Sequence, residues 1–288
     1  MSLSHLATRR VVSIAPQDSL DKAISLMEEH HVHHLPVVAG GQLVGIISDR
    51  DLLLAVGWKL SSQRKLPEHA SNQVAGPRTV SQIMTHEVIS VTPEHTPRQA
   101  ARTLIDLKIG AVPLVADGQL LGIVSDSDLL RVFSRDADGS GAAHTLAQQP
   151  VRSIMRTHLA KVRGEASLHE IITILQDRHV RHVPVVDENG GLIGIVSDRD
   201  VRRALGSACV NDMQAQETGK YYDEPRSAAG IMTSDVVSVA PTTTVGEATH
   251  YVLERRIHSL PVVERNALVG IVTTSDILRE AARQDLLG

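Results

Sequence analysis

One pattern occurs four times along the 288-residue chain, and a repeat of this kind limits the fold more than any single motif. The tetrapeptides LPVV, VPLV, VPVV and LPVV place prolines at Pro36, Pro113, Pro184 and Pro261. A glycine follows at Gly45, Gly122, Gly194 and Gly270, and an aspartate at Asp51, Asp128, Asp200 and Asp276. Each series steps by 71–77 residues, and copies one and three, like copies two and four, lie 148 or 149 apart. The chain is therefore a double repeat of two halves with two units each.

Each unit begins with a short β-type run: VVSIA, VISV, LAKV or VVSV. A helix start follows. Thr96 with Gln99, Ser167 with Glu170, and Thr244 with Glu247 are spaced as capping boxes, and Ser19 is a plainer cap. Leu20, Ala23, Ile24 and Met27 then recur at helical spacing, as do Leu168, Ile171, Ile172 and Leu175. Two β-branched strands joined by a tight turn come next, and a second helix closes the unit. The expected fold is α/β (α+β), with four β-α-β-β-α units packed as two tandem pairs. A unit of about 50 residues has a marginal core, so pairing is expected. The expected halves are 1–141, with units about 1–60 and 78–138, and 142–288, with units about 148–208 and 227–288. Residues 58–80, 134–150 and 206–229 read as polar joins, with 134–150 the loosest.

Composition narrows the function. A net charge of −4 and 2% aromatics argue against duplex and single-stranded nucleic acid as partners. No apolar run reaches membrane-spanning length, and MSLSHLATRR lacks the apolar core of a secretion signal, so the expected location is cytoplasmic. The lone Cys209 has no partner for an internal disulfide. The serines lack a G-x-S-x-G context and no phosphate loop of the G-x-x-x-x-G-K-[ST] type is present, so no enzyme is expected.

The segments IMTHEVISV, IMRTHLAKV and IMTSDVVSV, each followed by a helix, a proline-valine strand and G-h-h-(S/T)-x-x-D (h, hydrophobic), resemble the cystathionine-β-synthase (CBS) domain. Two such units in tandem form a Bateman module. The resemblance implies a stand-alone protein of two Bateman modules, a regulatory sensor binding AMP, ADP, ATP or a related adenosyl ligand such as S-adenosylmethionine. Such proteins act by changing the geometry of a pair, within one chain or in a homodimer, and an energy-sensing role with an unidentified regulated protein follows. The rival readings are a nucleotide-free scaffold and a metal-binding protein built on the histidines of HHVHH.

The S-x-x-D segments admit two uses. The acid can brace its own helix start, or it can accept the two hydroxyls of a ribose beside a helix N-terminus suited to phosphate. By resemblance, the ribose and phosphate sets are Ser48, Arg50 and Asp51; Ser125 and Asp128; Ser197, Arg199 and Asp200; and Thr273 and Asp276. Copies one and three are the favoured clefts. Phosphate contacts are assigned to His33, His34, Arg181, His182 and His258, while copy two has Gly110 and Ala111 there. His30, His31, Arg178 and His179 fit the negative end of the preceding helix. Asp49 and Asp198 read as first-turn charges. Ile14, Val91, Val162 and Val239 are candidate walls for adenine, with the core as their other use.

Overall fold

The computed structural model describes residues 2–53, 55, 77–205 and 227–287. Most of the joins expected at 58–80 and 206–229, and Cys209, lie outside these residues. The chain opens with a short helix, α1 (Leu3–Leu6). The first unit holds α2 (Leu20–Glu29), β1 (His34–Ala39), β2 (Gln42–Ser48) and α3 (49–53). The second holds α4 (Pro97–Leu107), β3 (Ala111–Ala116), β4 (Gln119–Ser125) and α5 (Asp126–Ala137). After α6 (Ala142–Ala147), the third holds β5 (Val162–Arg163), α7 (Leu168–Asp177), β6 (His182–Val186), β7 (Leu192–Ser197) and α8 (Asp198–Leu205). Following α9 (Ala228–Ile231), the fourth holds α10 (Val245–Arg255), β8 (Ser259–Glu264), β9 (Ala267–Thr273) and α11 (Thr274–Arg283).

Local chemistry explains these elements. Thr96 and Thr244 close full capping boxes, whereas Ser19 and Ser167 accept only from the backbone of Lys22 and Glu170. The first helix of every unit ends on a basic residue with positive φ: His31, Lys108, His179 and Arg256. Lys108 and Arg256, the C-caps of α4 and α10, set their charge at the negative end of the helix. In α2, Leu20, Ala23, Ile24 and Met27 are all buried, each larger side chain contributing about 1.5–3 kcal/mol. The first β-type run of each unit joins its hairpin in parallel through Ile14–Val37, Val91–Leu114, Val162–Val185 and Val239–Val262.

Pairing within a half is by strands, and pairing between halves is by cores. Gln42 meets Gln119, giving the sheet order β1-β2-β4-β3, and Gly191 meets Ala267 in the second half. One core combines units one and three, from Ile14, Leu35, Ile47 and Leu52 to Ile171, Val183 and Val196. The other combines units two and four, from Val112, Leu129 and Phe133 to Leu260, Ile277 and Leu278. The stretch expected to be loosest, 134–150, is instead largely helical. Ala143, Leu146 and Ala147 of α6 are buried at i, i+3, i+4 spacing, a stripe too small and short to stand out among polar neighbours.

Lead segments are exchanged within each half. Thr8 bridges to Ile123 of unit two, Thr85 to Ile46 of unit one, Arg156 to Ile271 of unit four, and Thr233 to Ile195 of unit three. This explains the repeated glycine. A Cβ on Gly45 would lie 2.5 Å from Met84 Sδ, 3.0 Å from its Cγ and 3.2 Å from the Thr85 carbonyl. Met232 and Met155 crowd Gly194 and Gly270 in the same way, and Ala7 crowds Gly122. Gly45→Ala should therefore destabilise the protein by about 1–3 kcal/mol in urea denaturation, and adding Met84→Ala should remove part of that loss through relieved overpacking.

Candidate functional site

One backbone hydrogen bond recurs in every unit where the second helix begins. Asp49 donates its N–H to the His33 carbonyl (3.1 Å), Asp126 to Gly110 (3.0 Å), Asp198 to Arg181 (3.2 Å) and Thr274 to His258 (3.1 Å). The residue before each proline strand is thereby tied to the first residue of the closing helix. These pairs gather into a polar cluster drawn from all four units.

His33 Nδ1 lies 2.6 Å from Asp49 Oδ2, and Arg199 of unit three reaches His33 Nε2. That geometry fits a proton on Nδ1, with Nε2 accepting from the guanidinium. The His33 and His258 rings meet edge-on, 5.2 Å between centroids at 85°. His258 Nδ1 stands 3.9 Å from Asp126 Oδ2 and is buried without a hydrogen-bond partner among the described residues. The buried Arg202 places Nε 3.0 Å from Asp49 Oδ1 and Nη1 2.9 Å from Glu28 Oε1. Gly110 leaves room for this crowd: a Cβ there would sit 2.8 Å from Arg181 Nη1 and 3.0 Å from His34 Cε1.

Burial and neighbouring cations set the charges. Burial, then Arg181 and His33, hold His34 down at about 3. Burial, then His258 and Arg181, hold His182 at about 3. Burial also lowers His258, against the pull of Asp126. Burial opposes ionisation of Asp49, but the His33 hydrogen bond with Arg202 and Arg199 outweighs it, and its pKa falls. Asp198 is raised by burial and by the charge of Asp49. His33, His34, Arg181, His182 and His258, expected as phosphate contacts, thus lie in one cluster. Asp49, Asp126 and Asp198 belong to it as well. Asp49 and Asp198 are first-turn acids, as read, and their further place in the cluster went unread, although aspartate at the same place in three copies was the available signal.

The four S-x-x-D acids each cap their own helix. Ser48, Ser125, Ser197 and Thr273 donate their hydroxyls to Oδ2 of Asp51 (2.7 Å), Asp128 (2.6 Å), Asp200 (2.6 Å) and Asp276 (2.6 Å). The same oxygens take the cap N–H groups, so bracing the helix start is realised at every copy. The copies differ at Oδ1. Asp51 and Asp200 accept no hydrogen bond there among the described residues. Arg131 reaches Asp128 Oδ1 at 2.8 Å, and both Arg156 (2.9 Å) and Arg279 (2.8 Å) reach Asp276 Oδ1. Burial raises the pKa of Asp51 against its Ser48 hydrogen bonds. Arg50 spans to His179 Nδ1 at 2.7 Å, so units one and three exchange arginines in both directions.

Ile14, Val91, Val162 and Val239, offered as adenine walls, are core residues with 1–6% exposure, and the Ile14 amide and carbonyl are spent on Pro36 and Val38. Val162 also borders an open groove of about 710 Å³ with Lys161, Arg163 and Asp187. No set of three or more His, Cys, Asp or Glu suited to a metal ion occurs among the described residues. No helix among them is long and apolar enough to cross a membrane.

The fold and this four-fold arrangement define a protein of repeated CBS units. The CBS-domain profile matches residues 3–57, 80–135, 151–207 and 228–283, and the chain belongs to that family. It is 26% identical to the uncharacterised protein MJ1225 of Methanocaldococcus jannaschii over 94% of this chain and 95% of that one. The crystal structure of MJ1225, proposed as an archaeal homologue of γ-AMPK, superposes with a TM-score of 0.82 at 24% identity, covering 97% of this chain and 99% of that one. CBSX2 in complex with AMP (26% identity, 48% and 98% covered) and the CBS pair of MJ0100 with 5′-methylthioadenosine and S-adenosyl-L-methionine (26%, 47% and 98%) each give a TM-score of 0.40.

His34 and His182 make stability depend on pH. An unfolded histidine titrates near about 6.5, above both folded values, so the unfolded chain holds more protons between about 6.5 and 3. Stability should fall as pH drops through that window, by up to about 2 kcal/mol per histidine between pH 7 and 5. Urea midpoints at the two pH values check this, and His34→Gln with His182→Gln should flatten the slope.

Proposed function

We propose that the chain is a regulatory sensor for adenine nucleotides whose best clefts are those of Asp51 and Asp200. The observation that carries this reading is the spare Oδ1 of these two acids, at helix N-termini beside a shared cluster of arginines and imidazoles. Oδ2 holds the helix together while Oδ1 takes a ribose hydroxyl, so one acid serves both uses weighed from the sequence. The nearby cations suit a phosphate group better than the sulfonium of S-adenosylmethionine, and we rank AMP, ADP and ATP ahead of it.

Arg50 and Arg199 couple binding to shape. Each contacts an imidazole of the opposite half, a weaker partner than a phosphate. A nucleotide that draws these guanidiniums to its phosphate exchanges contacts between units one and three. The shift it drives equals its difference in affinity for the two arrangements. A homodimer and a regulated protein that reads the change belong to the same proposal, as do a cytoplasmic location and two Bateman modules meeting near residue 142.

A thermal-shift panel of AMP, ADP, ATP and S-adenosylmethionine tests the reading. Ligand at about 100 times Kd should stabilise by roughly 2–3 kcal/mol. Asp51→Ala with Asp200→Ala should abolish that gain while unfolding stays cooperative, at a loss of about 1 kcal/mol per helix cap. Wild-type affinity in the double variant, or no shift with any ligand in the wild type, overturns the proposal; the second result favours a ligand-free scaffold.

A further inference from the structure

The four lead segments place one residue each beside one acid. Bridged positions and acids keep a constant offset in all four units: Ile46 precedes Asp51 as Ile123 precedes Asp128, Ile195 precedes Asp200 and Ile271 precedes Asp276. The residues bridged to them are Thr85, Thr8, Thr233 and Arg156. Three are exposed threonines and one is an arginine.

The arginine changes its acid. Arg156 is pinned by two backbone hydrogen bonds to Ile271, 2.9 and 3.0 Å, so its guanidinium is delivered from a fixed point on β9. Its Nε reaches Asp276 Oδ1 at 2.9 Å, where Arg279 Nη1 also sits at 2.8 Å. The Asp276 side chain is 4% exposed. Asp128, held by Arg131 alone, keeps 13%, and Asp51 and Asp200 are likewise part-exposed. Asp276 thus takes two donors on each oxygen, which fills its roughly four lone-pair sites and leaves none for a diol, whereas Asp128 Oδ1 takes one.

We propose that Arg156 is the residue that closes the fourth groove to ribose, and that the chain binds fewer nucleotides than it has units for that reason. The inference rests on the ribose reading of these acids. Arg156 acts as a built-in occupant, supplied by the lead segment of unit three to the helix start of unit four. Threonine at the other three positions is too short to reach across.

Titration calorimetry with AMP counts the sites. Arg156→Thr, alone or with Arg279→Ala, should bind one more AMP per chain than the wild type. Adding Asp276→Ala should remove the gained site. The mirror substitution Thr233→Arg should lower the count by one through the groove of Asp200. If Arg156→Thr loses cooperative unfolding, Thr233→Arg decides alone. An unchanged count in the folded Arg156 variants overturns the closing role and leaves the nucleotide reading intact. Absence of AMP binding in the wild type and every variant overturns both.

Discussion

A single backbone hydrogen bond, from the first residue of each closing helix to the carbonyl of the residue leading into the proline strand, organises the centre of this molecule. It needs no particular side chain, so it survives in all four units while the side chains diverge. Its effect is to hold two residues per unit against the middle. The pairs there are His33 with Asp49, Gly110 with Asp126, Arg181 with Asp198, and His258 with Thr274. Where unit two lacks a base and unit four lacks an acid, the remaining members, His258 and Asp126, face each other across the molecule. The cluster therefore reads as one group of charges divided among four copies. Such a buried network is stable only while its members are matched.

The cores work in the opposite sense. A shared sheet joins unit one to two and the Gly191–Ala267 β-bridge joins three to four, while apolar packing joins one to three and two to four. Neither half owns a complete core. Movement of one half against the other therefore has to pass through both cores and through the arginine exchange between units one and three. Close packing resists gradual deformation, and discrete arrangements follow from that.

Much of this was legible in the sequence, because the repeat supplied an internal comparison. Proline, glycine and aspartate in register marked the strands and the closing helices, and the caps at Ser19, Thr96, Ser167 and Thr244 marked the others. The structure shows why the glycines recur: an exchanged segment lies where a side chain would be, with a methionine against three of them and Ala7 against Gly122. That exchange connects residues 38 or 39 positions apart in two of the bridges and 115 apart in the other two, and leaves no local periodicity, so the sequence alone concealed it. Asp49 and Asp198 do stand in the first turns of their helices, as read, but their place in a buried cluster was not legible, since a first-turn acid facing water and one facing such a cluster look alike. Arg156 was visible too, as the R of IMR against the T of IMT, but its meaning required knowing which acid it meets.

The exchanged lead segments have a consequence for synthesis. While the nascent chain leaves the ribosome, unit one cannot finish its β2 face until Met84 and Thr85 have emerged, and unit two must keep the opening residues in reserve to receive them. The second half repeats the dependence with 151–156 and 228–233. No quarter of the polypeptide therefore matures alone, and each half still waits for the other to complete the shared cores.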